Sequence, residues 1–220
     1  MKHPNTSEMY LYWNRLRGSR LLPDRSDIEP GDIRRILKDT FILEPKEVGE
    51  YMFRLAGTRI CCNFSCELKS TNMLDLIGEE SKEAVHTILH SACEDNSVNV
   101  LGFVGKNDYG KSVALETILL PVSVNNTNQV RLIGTLTAIK PPYWIGMNPV
   151  RTLELASFRM VLPHQHEREV NRMLEQNQGE ADNITQFMRQ ANQEATMAAQ
   201  QDGSRRVRHL TVFDGGMSGQ

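Results

Sequence analysis

YWNRLRGSRLLPDRSDIEPGDIRRILKDTFILEP, residues 12–45, is the stretch of sequence that decides the fold. Its prolines fix the backbone φ angle and make a corner in the chain. Pro30 suits the first position of a helix, where its missing N–H costs nothing. Ile28 and Ile33 stand at the two positions of a hydrophobic staple. The pattern predicts a helix over residues 30–38 that returns the chain to a sheet, with no catalytic group.

The segments on either side of this corner predict a helix and two strands. An amphipathic helix over residues 7–17, capped by Thr6 or Ser7 and ended by Gly18, is indicated by apolar residues at helical spacing, namely Met9, Tyr12, Trp13 and Leu16. Residues 39–45 and 51–56 have strand-like sequences separated by a short turn, which predicts an antiparallel hairpin.

The middle of the chain predicts short helical pieces, one longer helix and three further strands. The short pieces fall within residues 57–78, and the longer helix covers residues 81–95 with Ser81 as its cap. The strands follow as an antiparallel meander over residues 98–106, 112–120 and 130–139. Both faces of this sheet carry apolar residues, so we expect both to be covered, one of them by the N-terminal helix or a second subunit.

Beyond the meander the sequence becomes harder to interpret. The prolines that flank residues 150–162 favour an extended strand. Residues 164–204 are polar, and their composition predicts that part of this segment is disordered. Residues 207–213 predict a late strand. These patterns divide the chain into a lead-in (1–38), a domain (39–146) and a C-terminal extension (147–220).

Composition limits the classes of function. The chain has 220 residues, 40% of them hydrophobic, and a net charge of −2, which argues against a nucleic-acid or anionic-membrane surface over the whole protein. The basic cluster of Arg205, Arg206, Arg208 and His209 is interpreted as a solvated face. No apolar run could span a membrane and no secretory signal opens the sequence, so we expect a cytoplasmic protein with four free cysteines.

The order of these elements, two strands, short helices, a longer helix and a meander, resembles that of a PAS domain. The motifs resemble those of a bacterial PAS family best known from alphaproteobacteria. They are Trp13, Arg15, Pro23, Asp27, Ile28 and Pro30, then FRLAGT (53–58), LLPV (119–122), Gly134, PYWIG (142–146), and a final HLTV (209–212) with DGG (214–216).

The resemblance implies an α+β fold, with a five-stranded antiparallel sheet and helices on one face. It implies a non-catalytic sensory or protein-interaction module of bacterial signalling, and it supplies no cofactor. A ligand cavity would lie between the sheet and the helix over residues 81–95. Its predicted lining is Phe53, Leu55, Leu74, Ile88, Leu101, Phe103, Leu115, Ile133 and Thr135.

A metal or haem sensor on the same fold is the main alternative. Cys62 and Cys66 lie four residues apart, as do His86 and His90, and each pair would share a helix face. Two facing pairs could bind zinc, although the spacing is not that of a zinc finger and the expected reading is an ordinary amphipathic helix. A histidine directed into the cavity could instead ligate haem.

Two enzymatic readings are weaker. Residues 105–112, GKNDYGKS, match the letters of a P-loop, but a P-loop must open a helix and SVALETILL after it predicts a strand. We therefore interpret the motif as a hairpin turn. A cysteine nucleophile at Cys61, Cys62 or Cys66 lacks any surrounding signature.

The partners that the sequence suggests are a second copy of the chain and a signalling protein, with a small-molecule ligand in the PAS cavity. The aromatic N-terminal helix and the outer face of the sheet are the predicted sites of homodimer contact.

Overall fold

A computed structural model describes residues 1–47, 49–125 and 129–161, together with the strand residues 205–207 and 210–212. The chain forms two compact units, Met1–Pro163 and His164–Gln220. The segment boundaries predicted after residues 38 and 146 both fall inside the first unit.

The described part of the first unit has an α+β architecture, as predicted. Its α-helices are α1 (Pro4–Arg17), α2 (Thr58–Phe64) and α3 (Glu79–Glu94). Its strands are β1 (Thr40–Pro45), β2 (Tyr51–Ala56), β3 (Val98–Lys106), β4 (Ser112–Ser123), β5 (Val130–Ala138) and β6 (Thr152–Val161). Short 3-10 helices cover Arg25–Asp27, Leu37–Asp39 and Met73–Leu76. No helix among the described residues combines the length and apolar character needed to cross a bilayer.

The strands form one antiparallel sheet in the order β2-β1-β5-β4-β3-β6. The hairpin and the meander are confirmed. The sheet has six strands rather than five, because β6 pairs with β3 from Val98–Val161 to Lys106–Thr152.

The helix predicted over residues 30–38 is wrong. The segment instead forms successive turns closed by i to i+3 bonds, among them Ile36 N to Ile33 O at 2.9 Å, and ends in the 3-10 helix Leu37–Asp39. Ile33 and Ile36 are both buried, and their spacing of three suits three residues per turn as well as it suits an α-helix.

The corner before this segment is tied to the end of β4. The Ser123 backbone N–H donates to the Pro23 carbonyl at 3.0 Å. Asp24 caps the 3-10 helix Arg25–Asp27, and the Asp27 carboxylate accepts a bond from the Asp24 backbone N–H in return. The corner therefore places residues 24–36 beside the sheet.

Each face of the sheet is buried under helices from the same chain. The inner core, defined as the buried cluster under α2 and α3, includes Phe41, Phe53, Leu89, Leu101 and Phe103. The outer core, on the opposite face under α1 and the corner, includes Met9, Trp13, Ile36, Ile118, Leu120 and Ile133. The expectation that both faces are covered is confirmed, and α1 provides the second cover.

α1 begins three residues earlier than predicted, because Pro4 occupies the first turn and the His3 side chain accepts from the Asn5 N–H at 3.1 Å. Its N-terminus is anchored by the buried Glu116 carboxylate, which accepts the backbone N–H groups of Lys2 and His3 at 2.8–3.0 Å. The Trp13 indole N–H donates to the Pro121 carbonyl at 2.7 Å.

Burial of Tyr12 and Trp13 in the outer core removes these side chains as exposed surfaces for a homodimer contact. The prediction of self-association itself stays a prediction.

The second unit contains a short antiparallel hairpin. β7 (Arg205–Val207) pairs with β8 (Leu210–Val212), so the region predicted as one late strand over residues 207–213 contains β8 and the last residue of β7. The prediction of partial disorder in residues 164–204, and Arg208 and His209 of the basic cluster, lie outside the described residues.

Candidate functional site

Most of the predicted lining residues come together in the inner core. Buried there are Phe53, Leu74, Ile88, Leu101, Phe103 and Leu115. They reach it from β2, the 3-10 helix Met73–Leu76, α3, β3 and β4, so the predicted position between sheet and helix is correct for these six. Their ligand-binding role stays a prediction.

Three predicted lining residues lie elsewhere. Leu55 on β2 is 39% exposed. Ile133 belongs to the outer core, and Thr135, two residues further along β5, lies on the same face as Ile133. Alternation along β5 shows that these two side chains share a face, but both faces are apolar, so the pattern could not identify which face α3 covers.

The inner core is densely filled by side chains. The Phe41 and Phe53 rings meet edge to face with centroids 5.9 Å apart. Gly134 allows the Phe41 ring to approach the sheet, because a Cβ there would lie 2.6 Å from the ring Cζ atom and would also collide with the Ile118 carbonyl. Close packing of this kind leaves the sheet–helix interface little space for a ligand.

A cleft of about 1060 Å³ lies where β1, β4 and β5 reach one end of the sheet beside the C-terminus of α3. Its lining is Leu21, Leu22, Glu44, Pro45, Lys46, Cys93, Glu94, Asn96, Ser123, Val124, Gln129, Val130 and Arg131. The lining mixes both signs of charge with amide and hydroxyl groups, which suits a small polar ligand better than an apolar one.

An ion pair organises one wall of this cleft. The Glu44 carboxylate accepts from Arg131 at Nε (3.0 Å) and also at its terminal nitrogen, and a weaker pair with Arg54 is 3.4 Å long. Hydrogen bonding from Arg131 lowers the pKa of Glu44 below its ordinary value against the opposing effect of burial. The wall therefore presents a neutralised pair instead of a free cation.

The α3 side of the cleft carries a buried thiol and an amide. Burial raises the pKa of Cys93 to about 12, so this thiol is a poor nucleophile at neutral pH. Asn96 adopts a positive φ of 54°, and its side-chain oxygen is buried without a hydrogen-bond partner. This oxygen has almost no exposed surface, so it is closed to a ligand in the cleft as the side chain stands.

The cysteines and histidines of the metal hypothesis do not converge. Cys62 and Cys66 are exposed, and the described residues contain no group of three or more His, Cys, Asp or Glu side chains placed to hold a metal ion. His86 contacts the Tyr51 ring and stacks on the exposed His90 with centroids 6.2 Å apart. His86 is half-buried and packs on Tyr51 at the margin of the inner core, whereas His90 is exposed.

The P-loop-like letters form a hairpin turn, as predicted. Lys106 at the end of β3 pairs with Ser112 at the start of antiparallel β4. The Asn107 side-chain oxygen accepts the backbone N–H groups of Tyr109 (3.0 Å) and Lys111 (2.9 Å). These amides are thereby occupied, whereas a P-loop directs its amides at phosphate.

A polar link that the sequence did not indicate joins α3 to β6. The Ser81 hydroxyl donates to the Glu154 carboxylate at 3.0 Å and accepts the Leu155 backbone N–H at 2.9 Å. The Gly78 N–H donates to the Leu153 carbonyl at 3.0 Å.

This link changes the role predicted for Ser81. The helix starts at Glu79 after Gly78, so Ser81 is not its cap. A Cβ at Gly78 would lie 2.6 Å from the Glu154 carboxyl carbon, so a larger residue there would displace this carboxylate from the positive end of α3. The only sequence feature that could have indicated the link between α3 and β6 is the Gly-x-x-Ser pattern of residues 78–81 at the start of the helix.

Comparison with known proteins gives a family but no curated relative. No curated protein matches the chain. A family model described as PAS domain matches residues 1–137. This match covers more than half of the chain and spans α1, β1 to β4 and all but the last residue of β5, whose order and antiparallel pairing are those expected from the resemblance. The chain therefore belongs to the PAS domain family.

Proposed function

We propose that this chain is a non-catalytic sensory or protein-interaction module of bacterial signalling that acts in the cytoplasm. Membership of the PAS family supports a sensory or interaction role in general. All four cysteines are free, which agrees with a reducing compartment. Its proposed partners are a second copy of the chain and a signalling protein.

The observation that carries this proposal is the link between α3 and β6. α3 packs on the inner core through Val85, Ile88 and Leu89, and its first turn is bonded to β6 through Ser81 and Gly78. β6 is the last strand before the chain enters the second unit. A change in the packing or position of α3 would therefore be passed to the strand that leads out of the domain.

We assign the small-molecule part of this proposal to the cleft beside β1, β4 and β5 instead of to the inner core. The cleft has the volume, and the ordered Glu44–Arg131 pair forms part of its polar lining. A ligand there would contact the C-terminus of α3, at the opposite end of the helix from the Ser81 link to β6.

Hydrogen exchange read by mass spectrometry tests the proposed route. Ser81→Ala removes the hydroxyl from both of its bonds, and we expect faster exchange at the start of α3 and in residues 155–161 together. The matched control is Ser91→Ala near the other end of α3, whose hydroxyl contacts Ser97 at 3.1 Å and not β6. Faster exchange in α3 alone would show that the two elements are not coupled.

Native mass spectrometry, with a visible spectrum and elemental analysis, tests the alternatives on the purified full chain. We expect a mass that excludes haem and metal, with no Soret absorbance. Stoichiometric metal or haem would establish the alternative sensor and refute the assignment of the two histidines to a plain helix surface. Turnover of ATP or GTP that is lost in Lys111→Ala would refute the non-catalytic proposal.

A further inference from the structure

The two edges of the sheet are treated differently by the chain. The outer edge of β2 is covered, since the Phe53 N–H donates to the Thr71 carbonyl at 2.9 Å and the Ser70 N–H donates to the Phe53 carbonyl at 2.7 Å. The outer edge of β6 is covered only in its first half. There the Leu153 carbonyl accepts the Gly78 N–H, and the Leu155 N–H donates to the Ser81 hydroxyl. Within the described ranges, no residue pairs with the second half.

This open half of β6 is also exposed and partly apolar. Five consecutive residues, 156–160, are exposed. Phe158 and Met160 are 47% and 49% exposed, and they lie opposite Leu101 and Asn99 on β3. Exposed edges with apolar side chains promote pairing with another strand, and proteins usually protect them.

The free backbone groups of this segment can be identified from its register. Leu153 and Leu155 direct backbone groups outward, to Gly78 and Ser81. A β-bulge follows between Leu155 and Ser157, which pair with Phe103 and Gly102 of β3. Because of this bulge, Phe158 lies on the same face of the sheet as Leu155. Residues that share a face of a strand also share the direction of their backbone groups. The N–H and C=O groups of Phe158 and Met160 therefore point away from β3.

We propose that this half-strand is the interface through which two copies of the chain associate, with β6 pairing antiparallel to β6 of the second copy about Phe158. The inference rests on the self-association proposed above and names its surface. Phe158 would face its own equivalent as a hydrogen-bonded pair on the two-fold axis, and Ala156 would face Met160. Ser157 would face Arg159 on the opposite side of the sheet.

The charges select this register over its neighbours. Moving the axis to Arg159 sets two guanidinium groups directly opposite each other, which is destabilising. Moving it to Ser157 requires Leu155, whose N–H already donates to Ser81. The register centred on Phe158 uses the outward backbone groups of Phe158 and Met160, avoids a like-charge pair and sets aromatic against aromatic, a favourable cross-strand pair.

Two opposite changes at Ser157 test the register on the full chain by sedimentation equilibrium. Ser157→Glu places a carboxylate against Arg159 of each partner copy, and we expect dimerisation to tighten on the order of tenfold. Ser157→Arg creates two like-charge pairs and should weaken it on the order of tenfold. The double variant Ser157→Arg with Arg159→Glu reverses both charges and should restore the wild-type affinity.

Cysteine cross-linking gives a readout that does not depend on affinity. In a background with Cys62 and Cys66 changed to serine, Phe158→Cys should form a disulfide between copies, because a hydrogen-bonded pair holds its Cα atoms about 5.5 Å apart. Met160→Cys is the matched control and should not link to itself, since it faces Ala156.

The outcomes distinguish the proposed β6 interface from the more general proposal that the chain self-associates. A dimer that ignores both Ser157 variants and does not cross-link at position 158 would refute the β6 surface and leave self-association standing. A monomer at every concentration would refute both, and protection of the residue 158 and 160 amides in that monomer would identify a segment of the same chain as the occupant. The coupling of α3 to β6 is tested separately by the Ser81 variant.

Discussion

Replacing Trp13 tests whether α1 closes the outer face of the sheet within a single chain. The indole is 2% exposed, and its N–H donates to the Pro121 carbonyl at 2.7 Å. Trp13→Phe keeps most of the apolar volume but leaves a buried carbonyl without its donor, a loss of about 1–3 kcal/mol in the free energy of unfolding. Trp13→Ala also leaves a cavity, and we expect a loss of about 3–5 kcal/mol. Such a loss is a large fraction of the total stability of about 5–15 kcal/mol usual for a protein.

Urea unfolding followed by fluorescence measures these losses cleanly. The chain has two tryptophans, so Trp144, buried in the inner core, is the reporter in both variants and registers global unfolding from the opposite face. Tyr109→Ala, at an aromatic residue that is 72% exposed, is the control and should change stability by less than about 0.5 kcal/mol. A loss below about 1 kcal/mol in Trp13→Ala would refute the packing of α1 on the sheet, because a fully buried indole cannot be removed at so small a cost. A loss that depends on protein concentration would show that α1 is exchanged between copies.

Three further predictions follow from the two cores and the cleft. Gly134→Ala should lower the melting temperature sharply, because its Cβ collides with the Phe41 ring and a neighbouring carbonyl, whereas a Cβ at Gly31 meets no atom within 4 Å and Gly31→Ala should leave it nearly unchanged. A thiol reagent at pH 8 should label the exposed Cys62 in the native protein. It should label Cys93 only after unfolding, because this thiol is buried and its pKa is raised to about 12. Rapid labelling of Cys93 in the native protein would contradict its burial. Glu44→Gln should cost more stability at pH 7 than at pH 3, since a carboxylate with a lowered pKa contributes stability above its unfolded pKa and loses it as pH falls through the folded pKa. A cost that does not change with pH would exclude the ionic contribution.

The strands were predictable because their signal is local. Alternation and flanking turn residues defined β2 and β3 to the residue, and the strand-like sequence after Lys111 identified the P-loop letters as a hairpin. The family match over residues 1–137 agrees with what element order and scattered motifs indicated. Such signals survive because each depends on the backbone and its immediate neighbours.

The errors occurred where tertiary contacts decide between equivalent local patterns. Ile33 and Ile36 at a spacing of three satisfy a 3-10 turn or an α-helix alike, and docking on the sheet selected the turns. Ser81 has the chemistry of a cap, but the nearby Glu154 and Leu155 recruited its hydroxyl instead. Bonds between residues more than seventy positions apart leave no trace in local periodicity.

The same reasoning explains why two residues predicted to line the ligand cavity lie on the other face of the sheet. Both faces of β5 are apolar, because α1 covers one and α3 the other, so Ile133 and Thr135 could be assigned to either core from the sequence. Once α1 closes the outer face, its aromatic residues are no longer available to a partner. The end of β6 exposes Phe158 and Met160 beside unpaired backbone groups, and its beginning is bonded to α3 through Ser81. One strand thus joins the helix that packs the inner core to the edge that we propose for the second copy, so that a displacement of α3 would alter the pairing of two chains.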